Sequence, residues 1–129
     1  MGRGKGSRYR SNSGQATVEF ALVLVLLMVV LFGIIQWGFI FGAFITVRNA
    51  SAVGARQAII SSNNVVAVAK AAVSPMLDST KATATLTLTN VAGASAYAVT
   101  VSYPLPMIVP YAYPGQGPTR TLTATTVMR

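Results

Sequence analysis

An uncharged apolar stretch decides the fold of this protein: residues 20–47 read FALVLVLLMVVLFGIIQWGFIFGAFITV. As far as Ile45 the stretch is almost continuously Leu, Val, Ile, Phe, Ala and Met, interrupted by Gln36 and three glycines. About 20 apolar residues are enough to cross the hydrocarbon core of a bilayer as a helix, at about 1.5 Å per residue. We therefore predict a transmembrane helix here, with residues to spare for tilt.

A cleaved secretory signal peptide is the alternative interpretation of an apolar stretch near an N-terminus. The apolar core of such a peptide is usually about 7–15 residues long and is followed by a small-residue A-x-A site. This stretch is longer, and no obvious A-x-A site follows it. Four basic residues precede it, whereas Arg48 and Arg56 are the nearest bases beyond it. The positive-inside rule then predicts a single-pass protein of the inner (cytoplasmic) membrane, with a cytoplasmic N-terminus and an exported C-terminal part.

The composition argues against most kinds of enzyme. The chain has no His and no Cys, and Glu19 and Asp78 are its two acidic side chains. Zinc sites and Ser-His-Asp or Cys-His catalysts need residue types that are missing. A Ser-Lys nucleophile using Lys70 or Lys81 is formally open, although neither lysine has a recognisable activating spacing. We expect no catalytic residue, no metal and no cofactor.

The formal net charge of +8 raises nucleic acid as a partner. A nucleic-acid surface needs a basic patch or stripe on one element. Four of the ten basic residues crowd the extreme N-terminus, and the other six are scattered singly without interleaved aromatic residues. The distribution therefore predicts no nucleic-acid partner.

The remaining helical pattern follows from Ala-rich segments. Residues 1–13 are rich in Gly, Ser and basic residues and have no apolar periodicity, so we expect no structure in them alone. Residues 48–60 are Ala-rich and contain no Pro, which predicts that the helix continues beyond the membrane. Polar residues 61–64 interrupt it, and residues 65–73, closed by Ser74-Pro75, predict a short amphipathic helix.

Beyond Asp78 the apolar period becomes two. Residues 81–89 alternate Thr with Ala or Leu, which predicts a half-buried strand. Residues 90–95, with Gly93, predict a turn, and Tyr97 to Tyr103 predict a second strand that Pro104 ends. After an irregular Pro-rich crossing, whose tyrosines either pack over the sheet or form a recognition surface, residues 120–128 predict a third strand.

Together these elements predict an α+β fold. A long N-terminal transmembrane helix extends into a small exported domain with a short helix and a roughly three-stranded antiparallel sheet. We divide the chain into a basic leader at residues 1–14, a transmembrane and extended helix at residues 15–60, and the exported domain at residues 61–129.

The sequence just before the apolar stretch is SGQATVEF, residues 13–20. A charged side chain costs about 2.5–3.5 kcal/mol at the bilayer centre and less near its edge, so Glu19 needs a reason to lie here. The positive end of the helix dipole is one reason. Gly14 offers another, because a glycine before a helix gives a protease an unobstructed backbone. Cleavage after Gly14 would place Glu19 one helical turn from the new amine of Gln15.

This spacing of Gly14 and Glu19 before a long apolar helix resembles the type IV prepilin signal. The segment GQATVEFAL, residues 14–22, is especially similar to the start of TadE-like proteins of the tight-adherence (Flp/Tad) pilus system. Gln15 differs from the aromatic residue that begins typical mature major pilins, which bears on N-terminal methylation.

Two later segments extend the resemblance. NASAVGARQA, residues 49–58, resembles the family's Ala-Arg-Glu-Gly-Ala-Arg segment, although Val53 stands where an acidic residue is usual. LTATTVMR, residues 122–129, resembles the family's C-terminal end. The family-like positions of the first segment are Asn49, Gly54, Ala55 and Arg56.

The resemblance implies a pseudopilin or minor pilin that a prepilin peptidase cleaves after Gly14. The implied partners are that peptidase, other pilins or pseudopilins, the pilus assembly platform and ATPase, and membrane lipid. In a filament, Glu19 would pair with the N-terminal amine of a neighbour. Two alternatives stay open: an uncleaved signal-anchored exported protein with no role in a filament, and an enzyme anchored in the membrane.

A small-xxx-small pattern lies inside the apolar stretch, formed by Gly38 and Gly42. Such a pattern lets another helix approach closely, so we predict a helix-packing role for this pair. The alternative is that these glycines give the helix local flexibility.

Overall fold

The structure is a computed structural model that describes residues 13–107 and 117–129. The predictions for the leader before Ser13 and for the tyrosines of residues 108–116 lie outside the described residues. The chain divides into two units, one ending at Ile34 and one running from Ile35 to Arg129, and each is described by itself.

The long helix α1 runs from Ser13 to Ile60 over 48 residues. Among the described residues it is the one helix long and apolar enough to cross a membrane, and none of its most apolar window is buried within the protein. In the first unit the large apolar side chains are exposed, for example Phe20 at 66% and Leu26 at 67%. A helix that is apolar on all sides and uncovered by protein belongs in lipid, so α1 indicates a membrane anchor.

In the second unit α1 buries one face. Its buried positions recur every three or four residues, which is the spacing of a single helix face. They are Gln36, Ile40, Ala43, Val47, Ala50, Ser51, Gly54, Ala55 and Ala58. From Ala50 onward every member is Ala, Ser or Gly, so the helix can lie close to what it packs against.

A short helix, α2, spans Val65–Ala71. It begins after Asn64, whose φ of 65° is left-handed, a conformation that Asn tolerates better than most residues. Its buried residues are Val65 and Ala69, which form its inner face. Pro75 follows four residues after the helix ends. The predicted short helix is therefore confirmed.

Three strands form one antiparallel sheet in the order β1-β2-β3. Strand β1 is Thr83–Val91, β2 is Ala94–Pro106 and β3 is Thr119–Met128. Ala92 and Gly93, with φ of 50° and 81°, make a two-residue connection between the first two strands. Positive φ at both positions is the geometry that suits the twist of a tight hairpin. The turn is thus shorter than the predicted residues 90–95.

Strand β2 does not end at Pro104 as the sequence predicted, because it continues to Pro106. Along β2 the pairing with β1 runs from Ala94 to Ser102, and after Ser102 the strand pairs with β3 alone. The Met107 N–H donates to the Pro118 carbonyl at 2.9 Å, so the backbone of Met107 points toward β3. Successive residues of a strand point to opposite sides, and the nitrogens of Pro104 and Pro106 therefore lie on the side of β2 that faces away from β3. Proline is tolerated there because no ladder donor is lost.

The core lies between the helices and the inner face of the sheet. Its buried strand residues are Ala84, Val99, Val101, Tyr103, Leu105 and Leu122. The register sets Ala84 opposite Val101 and Tyr103 opposite Leu122, so apolar side chains meet across both strand pairs. Leu88 was predicted on this face but is 68% exposed, because it lies near the hairpin end, where the inner face is no longer covered. The α+β prediction is confirmed.

Candidate processing and assembly site

The predicted cleavage position lies at the start of α1. The sequence predicted Gly14 before the helix, whereas the helix begins at Ser13 and holds Gly14 in its first turn. The first four N–H groups of a helix have no intrahelical partner, so unwinding these residues breaks few hydrogen bonds. Gly14 is exposed, and among the described residues, 13–107 and 117–129, nothing lies within 4 Å of the place where a Cβ would be. The Gly14–Gln15 bond is therefore open to an approaching enzyme.

Gln15 and Glu19 share one helix face and contact each other. The Gln15 Nε2 donates a hydrogen bond to Glu19 Oε1 at 3.1 Å, and both side chains are exposed. This is the ordinary reach of an i,i+4 pair. The predicted one-turn spacing is thus present, while the charge pair with a new amine stays a prediction.

Within α1 the carboxylate of Glu19 has no cation at helical contact distance. The first base that follows it in α1 is Arg48, far outside the three or four residues over which side chains of one helix meet. An i,i+4 ion pair of the kind that stabilises many acids on helices is therefore excluded in α1. A cationic partner has to come from the chain's own N-terminal side or from another molecule.

The family-like segment lies in the second unit and forms a close junction. A Cβ placed on Gly54 would come within 2.9 Å of both the Ala69 Cβ and the Val99 Cγ1. Such separations are shorter than carbon atoms normally adopt, about 3.5–4.0 Å. Gly54 thus lies where α1 approaches both α2 and β2 closely.

The other family-like positions divide between core and surface. Ala55 is fully buried, whereas Asn49 and Arg56 are exposed. Val53, which replaces the family's usual acidic residue, is 39% exposed. The junction therefore uses Gly54 and Ala55 for packing and presents Asn49 and Arg56 to the surroundings.

Ser51 is a junction residue that the sequence reasoning missed. Its side chain is fully buried, and its hydroxyl donates to the Arg48 carbonyl at 2.8 Å. Because that uses its single proton, the 2.7 Å contact with the Thr126 hydroxyl has Thr126 as donor. The two bonds connect α1 to β3. The available signal was the position of Ser51 three residues before Gly54, on the same buried face.

The two glycines of the small-xxx-small pattern have different surroundings. A Cβ on Gly42 would meet the Met76 Cε at 2.5 Å, whereas Gly38 is exposed with open space beside it. Thr46 donates to the Gly42 carbonyl at 3.0 Å and also contacts the Met76 sulfur at 3.3 Å. Gly42 thus packs within its own chain, and a helix-packing role toward another molecule stays a prediction for both glycines.

Comparison with known proteins identifies one family. Residues 14–56 match the family model described as TadE-like protein. The match covers about a third of the chain, begins at Gly14 and ends at Arg56, and so includes the processing site and the junction segment. No curated protein and no solved structure matches the chain. The resemblance found in the sequence is confirmed over these residues.

Proposed function

This chain carries a TadE-like segment at residues 14–56, and from that premise we propose that it is a pseudopilin or minor pilin of a Tad pilus. A prepilin peptidase cleaves it after Gly14, and the assembly ATPase with its platform draws the mature chain out of the membrane. Its N-terminus lies in the cytoplasm and its C-terminal domain is exported. Its role is structural rather than catalytic.

One observation carries this proposal: an open glycine in a first helical turn, an acid one turn later, and an uncharged apolar helix directly after the acid. Cleavage after Gly14 removes the four leader bases together and leaves an amine on Gln15. That amine lies at the terminus of the helix, on the face that carries Glu19.

The lone acid gives a physical reason for assembly. While the chain is in the membrane, Glu19 resists entering the hydrocarbon because burying an unpaired charge is costly. In a filament the N-terminal amine of a neighbouring subunit supplies the cationic partner that Glu19 does not find within α1. A paired charge in an apolar surrounding favours one axial register, since any sliding leaves both charges uncompensated.

The test is co-expression with and without an active prepilin peptidase. N-terminal sequencing of the chain should begin at Gln15 when the peptidase is active and at the leader when it is not. Gly14→Val should block processing, because a branched side chain obstructs the cleavage position. Gly33→Val is the matched control, since Gly33 also has open space beside it but lies far from the cleavage site.

An intact leader in the presence of active peptidase would overturn the proposal and favour the uncleaved anchored protein. Mass spectrometry of the mature chain adds a second check. Loss of ammonia would show that Gln15 has cyclised, which removes the amine and with it the proposed charge pair, while leaving cleavage itself established. Immunogold labelling of sheared pili then tests whether the chain enters the filament.

A further inference from the structure

The second unit contains a groove that lies outside the candidate processing and assembly site. It runs between one face of α1 and the start of β3 and has a volume of about 280 Å³. We call it the headgroup groove and define it by Trp37, Phe41 and Phe44 on the helix and by Arg120, Thr121 and Thr123 on the strand.

The helix side of the headgroup groove is aromatic and uncovered. Trp37 is 46% exposed, Phe41 59% and Phe44 39%. The rings of Trp37 and Phe41 lie with their centroids 5.8 Å apart and their planes tilted by 34°. Large rings exposed together on one helix face provide an apolar surface for a partner that is itself partly apolar.

The strand side supplies a cation. Arg120 is half-buried and lines the groove on the same face of β3 as the buried Leu122, whereas the Thr123 hydroxyl contacts the Ser102 hydroxyl on the other face at 3.1 Å. The two acidic side chains of the sequence are Glu19 and Asp78. The Asp78 carboxylate lies 4.0 Å from the Lys81 ammonium and Glu19 accepts from Gln15, so within the described part of the chain neither acid pairs with Arg120. The charge of the groove is complementary to an external anion.

The position of the groove along the sequence identifies the kind of anion. Counted from Phe20, about 20 helical residues cross the hydrocarbon core, so the chain leaves it near Phe39. Trp37 and Phe41 flank that point, and Trp is enriched where membrane spans meet the headgroups. An arginine beside those rings therefore lies at the depth of lipid phosphates.

We propose that the headgroup groove binds an anionic phospholipid. The guanidinium of Arg120 binds the phosphodiester through charge-assisted hydrogen bonds. The glycerol and the upper acyl chain lie against Trp37 and Phe41. This site goes beyond the pilin role and does not depend on cleavage at Gly14. Its consequence is that the exported domain is held against the membrane until lipid is exchanged for a protein neighbour.

The experiment uses the fluorescence of Trp37, which is the single tryptophan of the sequence. The full-length chain is placed in bilayers that contain either brominated phosphatidylglycerol or brominated phosphatidylcholine at equal mole fraction. Bromine quenches only on contact, so the ratio of the two quenching efficiencies reports which lipid lies beside Trp37. We expect phosphatidylglycerol to quench about fivefold better, which is the preference expected for one base at an anionic surface.

Arg120→Gln should lower this ratio to about one. Arg56→Gln is the matched control, because Arg56 is an exposed arginine of the same unit outside the groove, and it should keep the preference. An equal ratio in the wild type and Arg120→Gln would overturn the proposal. Absence of quenching by both lipids would also overturn it, because protein or a second copy would then cover Trp37. Strongest quenching by bromines near the acyl chain ends would overturn it as well.

Discussion

Replacing Gly54 with Ala tests the junction on which the small domain depends. The added methyl group would lie 2.9 Å from Ala69 Cβ and 2.9 Å from Val99 Cγ1, both belonging to fully buried residues. Neither neighbour can swing away, because Ala69 has no rotamer and Val99 is branched at Cβ. Overpacking of this kind costs about 1–3 kcal/mol. Ala gains about 0.5–1 kcal/mol over Gly in a helix interior, so the net expected loss lies between about 0 and 2.5 kcal/mol, with a central value of about 1 kcal/mol.

The measurement is amide hydrogen exchange of the full chain in detergent, read on β2. A loss of about 1 kcal/mol would raise exchange there by about fivefold if the junction opens as a unit with the strand. Gly38→Ala is the matched control in the same helix, since its Cβ would meet nothing within 4 Å, and it should leave β2 unchanged.

A double substitution separates close contact from a general loss of stability. Val99→Ala removes one of the two obstructing groups. The losses of unfolding free energy in the two single variants should therefore sum to more than the loss in the double variant. If Gly54→Ala slowed exchange in β2, the helix propensity would dominate and the close approach of α1 to Val99 would be refuted.

Three further predictions concern single contacts. Ser51→Ala should lower the unfolding free energy by about 1 kcal/mol, and a cycle with Thr126→Ala should show coupling, since additive costs would contradict a shared bond. Glu19→Gln should leave cleavage intact but reduce incorporation into sheared pili by about 30-fold, corresponding to about 2 kcal/mol for a broken buried pair, and unchanged piliation would contradict the pairing. The hydrogen bonds from the Thr80 hydroxyl and N–H hold the pKa of Asp78 below its ordinary value of 3.8, so its contribution to stability is present above that pH and is lost as the pH falls through the lowered pKa. Thr80→Ala should raise the pKa of Asp78 toward 3.8 in an NMR titration, and an unchanged pKa would contradict this cause.

The elements were predictable from the sequence where one physical pattern dominates. An uncharged run of apolar residues has few alternatives to a membrane helix, and alternation at residues 81–89 and 120–128 fixes which face of each strand is buried. The exceptions arise where the surroundings decide. Pro104 ends a strand only if its N–H position is needed in a ladder, and here that side is unpaired. Leu88 fits the pattern but lies where nothing covers the sheet.

The candidate processing site could be predicted from the sequence, whereas the junction around Gly54 could not. Gly14 and Glu19 are one local motif, whose spacing is visible without tertiary structure. The contacts of Gly54 with Ala69 and Val99 join residues far apart in sequence, so they emerge only once three elements pack together. Nothing in the sequence distinguishes Ser51 from other small polar residues, whereas the structure shows that it is buried and hydrogen-bonded to β3.

The prolines at the end of β2 restrict how copies of this domain can meet. In an antiparallel strand a residue's N–H and C=O point to the same side, so Pro104 and Pro106 offer acceptors but no donors on the open flank of β2. A foreign strand arriving there would leave its own carbonyls without partners. Extension of the sheet by a strand of another copy is thus discouraged on that flank of β2.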